Sequence, residues 1–133
     1  MFDQLTTTLD SGPQRNSTTI DRVLEQMSSA PVVLYMKGTP DLPQCGFSGQ
    51  VVAALRACNA AFAYVNVLDD VEAREAVKLL SGWPTFPQLY VDGELLGDAD
   101  IAIQLHESGE LRQILVSADA VHPRDSRGVA VGF

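Results

Sequence analysis

Apolar residues recur along this chain with two alternating spacings. Ile20, Val23, Leu24 and Met27 fall at i, i+3, i+4 and i+7, which predicts an amphipathic helix opening near Thr18, with Thr18 and Asp21 in capping-box spacing. Val32-Val33-Leu34-Tyr35-Met36 is a short unbroken apolar run, the pattern of a strand covered on both faces. The segment Gly38-Thr39-Pro40-Asp41-Leu42-Pro43 breaks regular structure, and Val51, Ala54, Leu55 and Cys58 then restore helical spacing, predicting a second helix from Phe47 to Cys58. Phe62 to Val67 reads as a second strand. From Asp69 onward, Ala73, Ala76, Val77 and Leu80 form a third helical stripe closed by Ser81-Gly82. Gln88 to Val91 and Glu94 to Leu96 flank Asp92-Gly93, a hairpin turn signal, so these two short strands should pair antiparallel. Asp100 is positioned to cap a last helical stretch bearing Ile101, Leu105, Leu111, Ile114 and Leu115, with Gly109 as a break.

Helices alternating with strands and ending in a hairpin predict an α/β domain, a four-stranded mixed sheet with helices on both faces. The domain should run from residue 17 to 116. Residues 1–16 and 117–133, poor in periodic apolar pattern, read as flexible N-terminal and C-terminal extensions.

Length and composition support one domain: 133 residues and 46% apolar content suffice for a single core. A formal charge of −8 argues against nucleic acid as a partner, because phosphate binding needs clustered Lys and Arg. No secretory leader pattern opens the chain, and no apolar stretch reaches the roughly 18 residues a membrane helix needs. With only Cys45 and Cys58 there is no disulfide framework, so the expectation is a soluble protein of a reducing compartment, the cytoplasm.

Cys45 carries the chemistry. It precedes a predicted helix, where unpaired backbone N–H groups and the helix dipole favour an anion, and Lys37 at the end of the preceding strand adds positive charge. Cys58 continues the buried stripe of the same helix and reads as core. Thirteen residues separate the two thiols, about 1.5 Å each along a helix, whereas a disulfide needs Cα atoms within about 7 Å. Ser48 stands where a Cys-X-X-Cys motif would hold its second thiol, so a mixed disulfide on Cys45 must be resolved from outside the chain. Cys45, Cys58, His106 and His122 lack the paired spacing of a zinc site, and His106 reads as a surface residue. Arg74 and Lys78, spaced i, i+4, either clamp carboxylates or simply face solvent. Two X-Pro bonds hold Trp83-Pro84-Thr85-Phe86-Pro87 extended, and sequence alone favours a trans Phe86-Pro87 bond.

Four segments, Tyr35-Met36-Lys37-Gly38, Pro43-Gln44-Cys45-Gly46-Phe47-Ser48, Trp83-Pro84-Thr85-Phe86-Pro87-Gln88 and Val91-Asp92-Gly93-Glu94, resemble in order and spacing the monothiol glutaredoxins of CGFS type. The resemblance covers roughly residues 18–116. It implies a thioredoxin-like fold, a cis Phe86-Pro87 bond and glutathione in a groove beside Cys45. It further implies a [2Fe-2S] cluster bridged between two protomers, each giving its CGFS cysteine, here Cys45, with two glutathione thiolates as the other ligands. For glutathione itself it implies Lys37 and Arg74, assisted by Lys78, at the glycine carboxylate end. Phe86 would give backbone hydrogen bonds to the cysteinyl part, Phe47 and Pro87 would also belong to the glutathione site, and Ala99, through its backbone, and Asp100, near the amino group, would hold the γ-glutamyl end. The functions implied are transfer of the cluster to iron–sulfur acceptor proteins, or glutathione-dependent reduction of disulfides, with a homodimer and a BolA-like protein as partners. One departure stands out: where the family has a second glycine, this chain has Asp98, whose charge should weaken retention of anionic glutathione.

Overall fold

A computed structural model of the chain describes residues 12–121 and 130–133. The elements follow in the order α1 (Gly12–Ser28), β1 (Val32–Met36), α2 (Gly46–Ala57), β2 (Phe62–Asn66), α3 (Val71–Ser81), β3 (Gln88–Val91), β4 (Glu94–Gly97), α4 (Ala99–Ser108), α5 (Glu110–Ser117) and β5 (Ala130–Gly132). The strands form one mixed sheet in the order β4-β3-β1-β2-β5. β1 runs parallel to β2 and antiparallel to β3, which places the end of β1 beside the start of β3.

Period-two alternation along β1 divides the core. Val32, Leu34 and Met36 point to one face and pack with Val51, Leu55, Leu111 and Leu115 from α2 and α5. Val33 and Tyr35 point to the other, with Val23 and Met27 of α1 and Ala73 and Val77 of α3. Asp70 ties that second layer together: its carboxylate caps α3 by accepting from the Ala73 N–H at 3.0 Å and takes both guanidinium nitrogens of Arg22 on α1, at 2.9 and 3.2 Å. The Arg22 contact, helped by the Ala73 N–H, holds this carboxyl below its ordinary pKa despite partial burial.

The structure differs from the sequence expectations at several points. The sheet has five strands rather than four, because Ala130–Gly132 pairs parallel with Phe62–Tyr64. The first helix opens at Gly12, so Thr18 and Asp21 lie within it and do not form its cap. The last helical stretch breaks at Gly109 into α4 and α5 as expected, but α4 is capped by Asp98, not Asp100, through the Ile101 N–H at 3.1 Å. Of the stretch expected as a flexible C-terminal extension, Ala120 and Val121 join the core, and the Ala61 N–H donates to the Ala120 carbonyl at 2.8 Å. Residues 1–11 and 122–129, where the rest of both extensions and His122 fall, lie outside the described residues. No helix among the described residues is long and apolar enough to cross a membrane.

Candidate functional site

Cys45 is delivered to its place by a tight loop that leaves β1 at Lys37. The Gln44 N–H donates to the Lys37 carbonyl at 2.9 Å, and Thr39 and Leu42 exchange backbone hydrogen bonds at 3.1 and 3.2 Å, so the loop folds back on itself. Gly38 permits this at φ +92°, and its N–H is held by the Asn66 side-chain oxygen at 2.9 Å. The chain therefore arrives at the head of α2 with Cys45 as the N-cap in an extended conformation.

At that position the thiol meets the unpaired donors of the first helical turn. The Ser48 N–H contributes most to holding the Cys45 thiol below its ordinary pKa, and the Phe47 N–H, the Ser48 hydroxyl and the Lys37 charge add to it against a desolvation penalty. Ser48 is fully buried, and its Oγ accepts from the Lys37 N–H at 3.1 Å. In the sequence Ser48 marks the place of a missing second thiol. In the fold it also fastens the end of β1 to the first turn of α2 and helps hold the thiolate.

One groove of about 420 Å³ opens at Cys45. Of the residues the sequence singled out, Lys37, Cys45, Phe47, Phe86, Pro87, Asp98, Ala99 and Asp100 line it, and Thr85 joins them. Thr85 was the omission, although it sits inside the Trp83–Pro87 segment that marked this wall. The Phe86-Pro87 peptide bond is cis, contrary to the expectation from sequence alone and in line with the resemblance. Arg74 and Lys78 do not line the groove. Lys78 pairs with Glu75 at 3.2 Å. Arg74 keeps its Nε buried with no hydrogen-bond partner among the described residues.

Cys58 stands apart from this chemistry. It caps the opposite end of α2, is 3% exposed, and burial pushes its thiol pKa up. Its sulfur lies 3.8 Å from Nδ1 of His106, which corrects the expectation that His106 is a surface residue: the ring is half-buried against the core.

The geometry is thus one activated thiol at the mouth of a groove of small-ligand size, walled by a proline-rich segment and a helix N-terminus. Comparison with known proteins follows the same lines. The family model for glutaredoxin matches residues 32–96. Glutaredoxin 4 of Escherichia coli (strain K12) is 50% identical over 99 residues, covering 74% of this chain and 86% of that protein. Monothiol glutaredoxin-S11 of Oryza sativa subsp. japonica is 52% identical over 95 residues, 71% of this chain and 19% of that much longer protein. Among solved structures, reduced glutaredoxin C1 from Populus tremula x tremuloides superposes with a TM-score of 0.74 at 25% identity, covering 86% of this chain and 97% of that one.

Proposed function

This chain belongs to the monothiol glutaredoxins, and on that premise we propose that it holds a [2Fe-2S] cluster between two copies of itself and passes it to acceptor proteins of iron–sulfur assembly. The observation that carries this reading is the isolation of the Cys45 thiolate. A cluster of this kind takes four ligands, thiolates in the simplest case. Among the described residues no group of three or more His, Cys, Asp or Glu could hold a metal, and Cys58 is buried at the far end of α2. One thiolate per chain fits a shared site completed by two glutathione thiols, each lying in the groove beside Cys45. Ligands that are partly external make such a cluster exchangeable, which suits cargo to be handed on.

Within the groove, Lys37 supplies charge for a glutathione carboxylate, and Arg74, whose buried Nε has no partner among the described residues, is the cation proposed to reinforce it. Phe86, Pro87 and Phe47 flank the cysteinyl portion, and Ala99 and Asp100, at the start of α4, meet the γ-glutamyl end. The cytoplasm is the compartment this chemistry fits, and a BolA-like protein the partner expected beside the second copy.

Anaerobic reconstitution with iron, sulfide and glutathione tests the proposal. The expected product is a coloured dimer on sizing, with two glutathione molecules per cluster. A colourless monomer under conditions where glutathione binds would end it.

Asp98 sets the strength of glutathione binding on this reading, because it lines the groove while its carboxylate caps α4. Asn caps a helix as well as Asp, so Asp98→Asn removes the charge and keeps the cap, whereas Asp98→Gly gives up the side-chain cap as well. Glutathione is expected to bind Asp98→Asn roughly fivefold more tightly at low ionic strength, the advantage shrinking as salt screens it. Calorimetric titration showing equal affinity at low salt removes Asp98 from the account.

The lowered thiol pKa also favours a second reading, glutathione-dependent reduction of mixed disulfides. Thiolate Cys45 would attack the glutathione sulfur of a glutathionylated protein, releasing the protein thiolate. A second glutathione thiolate would then attack the Cys45 mixed disulfide, freeing Cys45 and forming glutathione disulfide. Rapid turnover of this kind without cluster assembly would decide for the reductase.

A further inference from the structure

Gln88 is completely buried and yet makes three hydrogen bonds. Its Nε2 donates to the Trp83 carbonyl at 3.0 Å and to the Thr85 carbonyl at 3.1 Å, which uses both amide protons. Its Oε1 accepts from the Tyr90 hydroxyl at 2.9 Å, so the orientation of the amide is fixed as well. Tyr90 is wedged edge-on against Tyr35, ring centroids 5.5 Å apart, and the Tyr35 hydroxyl donates to Gln26 of α1 at 3.1 Å. A buried polar side chain with every group satisfied specifies a conformation, because any other arrangement strands a donor or acceptor in the core.

The conformation specified here is that of the groove wall. Thr85 C=O and Phe86 N–H belong to one peptide unit, which is trans, so the two groups point in opposite directions. A bond that draws the Thr85 carbonyl into the core therefore turns the Phe86 N–H outward, and both residues line the groove at Cys45. Among the described residues no hydrogen bond engages the Phe86 N–H.

We propose that Gln88 is a positioning residue for the thiol ligand: from the core it locks the Thr85-Phe86 peptide so that the Phe86 N–H is presented to a carbonyl of the peptide-like thiol bound beside Cys45. The inference rests on the glutathione reading above and names the element that makes that site ready before the ligand arrives. Gln88 does not touch the ligand. It acts through the wall.

The test titrates isotope-labelled wild type, Gln88→Leu and Tyr90→Phe with glutathione, following the Phe86 amide resonance together with the melting temperature. Tyr90→Phe removes one bond to the same amide and lowers stability, yet leaves both Gln88 donors in place. The expected result is a Phe86 resonance that moves on binding in wild type, an affinity roughly tenfold weaker in Gln88→Leu, the worth of one pre-aimed hydrogen bond, and near-wild-type affinity in Tyr90→Phe. Unchanged affinity in Gln88→Leu, or weakening in both variants in proportion to their melting temperatures, overturns the inference. Should Gln88→Leu not fold, a Phe86 resonance that stays still while glutathione binds wild type overturns it equally. Wild type that binds no glutathione at all defeats the underlying reading and this one with it, and the wild-type arm alone distinguishes that outcome.

Discussion

A Cys45→Ser variant is expected to assemble no visible chromophore, to remain monomeric in the presence of iron, sulfide and glutathione, and to melt close to the wild type. The loss should be complete rather than graded. Among the described residues the only other thiol is Cys58, buried at the opposite end of α2 with its pKa pushed up, so no second sulfur can take over. The fold should survive because Cys45 stands at the N-cap of α2, where Ser is among the favoured residues and its hydroxyl can accept from a first-turn N–H. Alkylation provides an independent check. The wild-type thiol, lowered chiefly by the Ser48 N–H, stays ionised below the ordinary thiol range, and its reaction with iodoacetamide falls off only as pH drops through that lowered value. Cys45→Ser should show almost no labelling of the folded protein at neutral pH. A variant that still turns brown, or still labels quickly, would mean that the sulfur at the head of α2 is not the working group.

The parts of this protein that were legible in its sequence are those in which local pattern and tertiary outcome agree. The unbroken run Val32–Met36 is buried at all five positions because it is the strand with a helix layer on each side. Asp92-Gly93 forms the tight turn between β3 and β4 with both residues at positive φ, the one backbone geometry for which that dipeptide is suited. Cys45 was readable because loop-breaking prolines followed by helical spacing locate a helix N-terminus within a residue or two.

What escaped the sequence depends on partners distant in the chain. β5 is three residues long and has no pattern of its own; it exists because the edge of β2 offers unpaired backbone groups. The cap of α4 was placed two residues late because Asp98 and Asp100 are equally good capping types. Backbone angles decide between them: Asp98 is extended at φ −94°, ψ −165°, while Asp100 is already inside the helix. Lys78 lies on the expected helix face, but Glu75, one turn away, meets its ammonium first. Gln88 reads as an ordinary residue at the start of a strand, and its hold on Trp83 and Thr85 appears only once the segment between them has folded back over it.

Gly38→Ala should destabilise the protein severely and unseat the thiol at the same time. A Cβ at this position would lie 2.5 Å from the Leu42 carbonyl oxygen and 2.6 Å from the Gln44 nitrogen, both of them backbone atoms that no rotamer change can move aside. The residue also sits at φ +92°, which costs a non-glycine residue on the order of 1–2 kcal/mol by itself. To relieve the clash the loop must open, breaking the Gln44-to-Lys37 bond that brings Cys45 to the head of α2. Strain plus the lost bond sum to about 3 kcal/mol, a drop of roughly 10 °C in melting temperature for a domain of this size. Gly82→Ala is the internal control: that residue is also left-handed, at φ +68°, but a Cβ there meets nothing within 4 Å, so it should cost only the conformational part, about 1 kcal/mol. Because the opened loop no longer presents Cys45 to the Ser48 and Phe47 N–H groups, Gly38→Ala should also move the alkylation profile toward the ordinary thiol range, and Gly82→Ala should leave it in place. Equal melting temperatures for the two variants, or a Gly38→Ala thiol that titrates as the wild type does, would show that the Lys37–Cys45 loop does not set the thiol's environment.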